Sequence, residues 1–163
     1  GAVVFPALEG TRPVLVELQA LTVRLPSGAT PRRAVVGWDG SRLAMLLAVL
    51  EARAGLAFGG SEVYLNVAGG LRVVDPAADL AVAAALVSAQ LDVPVPAHCL
   101  AFGEIALSGE VRAGAHAALR LKEAEKLGFT MALAADGTKG LGRLDVAPVK
   151  SVRALVDRIR GSA

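Results

Sequence analysis

The sequence predicts a single α/β domain, more fully α+β, in which a mixed sheet packs against helices. Three observations carry this reading. Hydrophobic residues make up 54% of the 163 residues and charged residues 20%, enough apolar weight for a sizeable core. Aromatic residues are only 4%, so that core is built from Ala, Val and Leu. Short runs of β-formers bounded by glycine and proline alternate with stretches whose apolar residues recur at helical spacing.

In chain order, residues 14–23 alternate loosely and are rich in β-formers, which predicts a strand. Pro26-Ser27-Gly28 signals a turn, and residues 34–37 a strand returning beside the first. Asp39 or Ser41 can cap a helix running to Arg53, with Leu43, Leu46, Leu47 and Leu50 as its apolar stripe. Residues 62–67 form a strand. Gly69-Gly70 reads as a tight turn needing positive φ, with residues 71–74 as the partner strand. Asp75-Pro76 opens the next helix, with Asp75 as N-cap and Pro76 at the first helical position. That helix, residues 76–90, is apolar nearly all round and is predicted to be the buried central one. Residues 100–103 and 110–112 are short strands on either side of Ser108-Gly109. Residues 115–127 form a third helix closed by Gly128, residues 131–134 a strand, and Asp136-Gly137 a turn. Residues 149–160 are a final amphipathic helix.

Composition excludes several function classes. Cys99 is the only cysteine, which rules out an intrachain disulfide and a thiolate-rich zinc site. His98 and His116 have no metal-ligand spacing; His98 reads as a structural or surface histidine, and His116, near a helix start, could approach Lys122, although nothing requires it. Apolar runs such as residues 80–87 fall far short of the ~20 residues a membrane span requires. The opening residues 1–8 carry no basic leader or cleavage-site pattern, so they read as part of a longer chain rather than a signal peptide. A cytosolic, cytoplasmic protein is the plain reading. Net charge is +2, too mild to point to nucleic acid by itself. The bases are 13 Arg and only 4 Lys, and the guanidinium is the better fork for phosphate oxygens, although genome base content explains such a bias equally well.

Several blocks carry a family resemblance. They are Glu9-Gly10-Thr11-Arg12-Pro13 running into Val16-Glu17-Leu18-Gln19-Ala20-Leu21, then Arg42-Leu43-Ala44-Met45-Leu46-Leu47-Ala48-Val49-Leu50 and Asn66-Val67-Ala68-Gly69-Gly70. Asp75-Pro76-Ala77-Ala78-Asp79-Leu80-Ala81, Gly103-Glu104-Ile105-Ala106-Leu107-Ser108-Gly109-Glu110-Val111-Arg112 and Arg120-Leu121-Lys122-Glu123-Ala124 follow. In order and spacing the chain resembles the C-terminal Lon-protease-like domain of the bacterial RadA/Sms DNA-repair ATPase family. The resemblance weakens only beyond Thr138. It implies a domain of the ribosomal-protein-S5-domain-2-like type over residues 13–163, with residues 1–12 as a linker from an absent RecA-like ATPase core. It also implies ATP, Mg and Zn for a full-length protein. This chain has no phosphate-binding loop, since Gly137-Thr138-Lys139-Gly140 lacks the spacing, and it is expected to bind no cofactor or metal.

Lon proteases use a Ser–Lys dyad in which a lysine takes the proton of a serine near a helix start. Aligning the Pro76 turn with that nucleophile turn puts Ala77 in the serine's place and Lys122 in the lysine's, so the resemblance implies a pseudo-protease. Lys122 reads as a solvated helix lysine beside Glu123 and Glu125, with a remnant base or a phosphate contact as the functional alternative. Ser88 and Ser108 lie off the strand-to-helix turn and have no His–Asp set. Asp75 and Asp79 have the spacing of a cap and a first-turn acid, which is preferred to paired acid–base carboxylates. Basic residues fall mostly at loops and element ends. Arg32, Arg33, Arg112, Arg120 and Lys122 are the DNA-binding candidates, with Arg32 and Arg33 placed at a hairpin tip. The expected role is support of a hexameric ring and non-specific DNA contact in recombination and branch migration. A purely structural oligomerisation domain and a residual peptidase are the alternatives.

Overall fold

The computed structural model describes residues 1–161. Nine strands and four α-helices follow one another as β1 (Ala2–Glu9), β2 (Arg12–Arg24), β3 (Arg33–Val36), α1 (Gly40–Ala54), β4 (Ser61–Val67), α2 (Asp79–Leu91), β5 (Cys99–Ala101), β6 (Glu104–Ile105), β7 (Val111–Arg112), α3 (Ala117–Lys126), β8 (Met131–Ala134), β9 (Asp145–Pro148) and α4 (Val152–Arg160). Seven strands make one sheet in the order β3-β4-β2-β1-β5-β8-β9, and β6 pairs with β7 apart from it. Pairings β1–β2 and β2–β4 are antiparallel. Pairings β3–β4, β1–β5, β5–β8 and β8–β9 are parallel. The predicted mixed α/β architecture is the one observed.

Helix α2 sits at the centre of the core. Its residues from Asp79 to Ser88 are all buried, as its unbroken apolar composition demands, and it packs on β1 and β2 on one side and α4 on another. Helix α1 starts where the Asp39 carboxylate accepts the Ser41 N–H at 2.9 Å and ends at Gly55 in the left-handed region. Helix α3 closes through Gly128 (φ 91°), with the Phe129 N–H reaching back to Ala124 O at 3.0 Å. Helix α4 is capped by Ser151, whose Oγ accepts the Ala154 N–H at 3.1 Å.

Four sequence expectations need correction. Residues 2–9 are no linker: β1 lies inside the sheet between β2 and β5, and it buries Val3 and Phe5. Strand β3 does not return beside β2, because β4 takes that edge and β3 runs parallel to β4. Residues 71–74 form no strand, since β4 is already paired on both edges. They cross over the sheet instead, with the Val73 N–H donating to Gly37 O at 2.8 Å. Gly69 and Gly70 do have positive φ, 79° and 69°, but in a tight 3-10 turn rather than a hairpin. Finally, the helix expected over residues 149–160 is shorter, and a strand precedes it. The parallel edge strand β9 ends at Pro148, and the helix starts only at Val152.

Candidate functional site

The turn that enters α2 is the best-determined polar feature of the domain. Asp75 has extended backbone and its Oδ1 accepts the Ala77 N–H at 2.9 Å. Pro76 follows at the first helical position, where a missing N–H costs nothing. Residues Pro76–Ala78 make one 3-10 turn before α2 begins. Ala77, the position of the Lon-type serine in the sequence reading, is 1% exposed. Its carbonyl accepts the Gly103 N–H at 2.8 Å, and Gly103 O in turn accepts the Leu80 N–H at 3.0 Å. On the remaining side lies Gly114, where an added Cβ would stand 2.7 Å from the Ala77 Cβ. The methyl of Ala77 therefore faces packed backbone, with neither a hydroxyl nor space for a substrate carbonyl beside it.

Two arginines clamp this turn from opposite ends. Arg42, on α1, forks onto Asp79: Nε donates to Oδ1 at 2.5 Å and the second nitrogen bonds Oδ2. Asp79 is fully buried, and its Oδ2 also accepts the Ile105 N–H at 3.0 Å. These donors offset the cost of taking the carboxylate out of water. Its hydrogen bonds raise the Arg42 pKa above the ordinary value, against the opposing effect of burial. Arg120, on α3, does the same for Asp75, donating to Oδ2 at 2.6 Å. So the preference for capping over acid–base work holds at Asp75, while Asp79 is more than a first-turn acid: it is half of a buried ion pair. The Arg42–Asp79 pair spans 37 positions and belongs to no motif, so no sequence signal distinguishes Arg42 from the other scattered arginines.

The five DNA-binding candidates do not form one surface, and one is excluded. Arg120 is 1% exposed. Besides Asp75 it holds Ala115 O at 2.9 Å and Pro6 O at 2.6 Å, with the guanidinium over the Phe5 ring at 5.3 Å. Every arm of the fork is engaged inside the fold, so it cannot reach a phosphate. Arg33 is exposed, yet its fork ties β3 to the loop before β4, donating to Ser61 O at 2.7 Å and Phe58 O at 3.2 Å. Arg32 is exposed, and so is Lys122 on α3. Arg112 is 63% exposed and stands 3.6 Å from Glu110, itself 60% exposed, an ion pair too solvated to restrain it. Lys122 is exposed on α3, while Ala77 is buried. Cys99 is buried, and burial pushes its thiol up to about 11, which leaves it unreactive near neutral pH. Among the described residues no three His, Cys, Asp or Glu side chains converge as metal ligands. No helix among them is long and apolar enough to cross a membrane.

No protein-family model matches the chain. Comparison with curated proteins is informative. The chain is 63% identical over 138 residues, 85% of its length, to a protein of Brucella abortus named "DNA repair protein RadA". It is 50% identical over 133 residues to the protein of that name in Aquifex aeolicus, covering 82% of this chain. With the protein of that name in Mycolicibacterium smegmatis it shares 41% identity over 161 residues, 98% of the chain. The matched part spans 29%, 30% and 34% of these relatives' own lengths, so the chain corresponds to about a third of each. Identity at this level, over 82–98% of the chain in these three comparisons, means that this chain belongs to the RadA family.

Proposed function

We propose that the chain is the non-catalytic Lon-protease-like domain of a RadA-type DNA repair and recombination ATPase, and that it supports ring assembly and contacts DNA without sequence preference. The observation that carries the pseudo-protease part is the α2 turn. A nucleophile position filled by a buried methyl and closed by Gly114 has nothing to deprotonate, and Lys122 stands in solvent. The name shared by the relatives supports the repair role, and the absent two thirds of the protein would supply ATP, Mg and Zn chemistry. For DNA, the exposed bases Arg32, Arg112 and Lys122 are the ones free to track a phosphate backbone, with Arg33 a weaker contributor because its fork also holds Ser61 and Phe58 carbonyls. A hexameric ring would repeat these few bases around its circumference, so that weak contacts add through avidity.

A purely structural oligomerisation domain is the second reading. It is favoured by the burial of Arg120, which removes one phosphate contact from the set. Titration of labelled duplex with the purified domain and with the ATPase-containing protein separates the two. The DNA-contact reading requires salt-sensitive binding with a Kd of ~10⁻⁴ to 10⁻⁶ M for the domain alone. Salt-insensitive or absent binding in both would leave the scaffold reading in place. Peptide turnover by the purified domain, blocked by a serine reagent, would overturn the pseudo-protease assignment.

A further inference from the structure

Among the described residues Arg120 is the only buried arginine, and it joins three segments far apart in sequence. Two of its anchors are fixed. Pro6 lies on the central strand β1, and Asp75 is held as the cap of the α2 turn. The third, Ala115 O, belongs to residues 113–116, which have no strand or helix of their own. This short segment lies across the α2 turn, with Gly114 on the Ala77 methyl. It ends at His116, whose φ of 62° is left-handed, and which begins α3 without a side-chain cap. That conformation is uphill for a residue with a Cβ, so the segment is held in place by tertiary contacts and not by its own backbone preference.

We propose that residues 113–116 are a latched cover over the Ala77 turn and that Arg120 is the latch. With the guanidinium in place, the cover is tied to β1 and to the Asp75 cap at once, and the site is shut by geometry as well as by the missing hydroxyl. Without the fork, His116 relaxes to a negative φ, Gly114 lifts from Ala77, and the backbone of the turn meets solvent. Arg120 is thus a positioning residue, acting through the strap and the cap.

The test places a thiol at the covered position, Ala77→Cys, after removing the other one with Cys99→Ala, and measures alkylation by iodoacetamide. Labelling is expected to be slow with Arg120 intact. Arg120→Lys keeps the charge but loses the fork, and should raise the labelling rate by about tenfold or more through local opening. Val63→Ala, which leaves a cavity on β4 away from this turn, should leave the rate near that of the parent, a difference that general destabilisation would not produce. Rapid labelling with Arg120 intact, or equal rates in the Arg120→Lys and Val63→Ala variants, overturns the proposal. Should Ala77→Cys fail to fold, hydrogen exchange over residues 111–119 in Arg120→Lys against the parent decides the matter. Faster exchange confined to that segment supports the latch, and unchanged exchange overturns it.

Discussion

Arg42 and Arg120 on one hand, and Arg112 and Lys122 on the other, are the same kind of residue in two different electrostatic settings. The first two reach carboxylates on a single buried turn, Asp79 and Asp75, with donor–acceptor distances of 2.5 and 2.6 Å. The others stand in water, and Arg112 meets its carboxylate only at 3.6 Å. In the clamped region the charges specify how α1, α3 and β1 meet the start of α2, and removing Arg42 or Asp75 leaves Asp79 or Arg120 buried without its charged partner. On the fringe a charge interacts mainly with solvent and is available to a ligand. A positive residue therefore says little about function until its partner and its burial are known.

The comparison can be broken most easily at its buried end. Arg42→Ala would leave the Asp79 carboxylate in the core with the Ile105 N–H as its remaining donor, a change that should cost about 3–5 kcal/mol in urea denaturation. A loss below about 1 kcal/mol would show the clamp to be dispensable. Leu86→Ala, at a fully buried position on α2, should cost about 2–5 kcal/mol through the cavity it leaves. Measured together, the two substitutions tell whether α2 is held mainly by its ion pairs or by its packing. At the fringe, Arg112→Ala and Lys122→Ala should each change stability by no more than about 0.5 kcal/mol, and a larger loss in either would move that residue to the clamped class. Alkaline titration gives a separate effect. Burial raises the Cys99 thiol from its ordinary 9.0 to about 11, so across that window the unfolded chain has lost a proton that the folded chain keeps. Stability should fall as pH rises from about 9 to 11, and Cys99→Ala should flatten that part of the profile.

The sequence made much of this legible, and where it did not the reasons are physical. Helix α2 was recognisable because ten consecutive residues need burial on every side, and Asp75-Pro76 marks its start by cap chemistry that operates locally. The nucleophile position comes to Ala77 only through the resemblance, by the blocks around it. Strand β1 forms a hairpin with β2 across Gly10-Thr11, a local signal that the reading of residues 1–12 as a linker passes over. Its other partner, β5, lies nearly a hundred residues on. Strand β9 is short and ends in a proline, so its pattern merges into the helix that follows. Arg120 was misplaced for a different reason: on α3 it sits next to Lys122 and reads as surface, and only Pro6, Asp75 and Ala115, brought together by the fold, bury it.

The most direct test of the account is a salt series of duplex binding by a full-length RadA-family protein carrying this domain, comparing the parent with Arg112→Ala/Lys122→Ala. Each phosphate contact contributes about one unit to the slope of log affinity against log salt. The double variant should assemble and unfold as the parent does, bind more weakly at low salt, and give a slope shallower by about two units. Unchanged affinity and slope, with assembly intact, would contradict the assignment of these exposed bases to DNA.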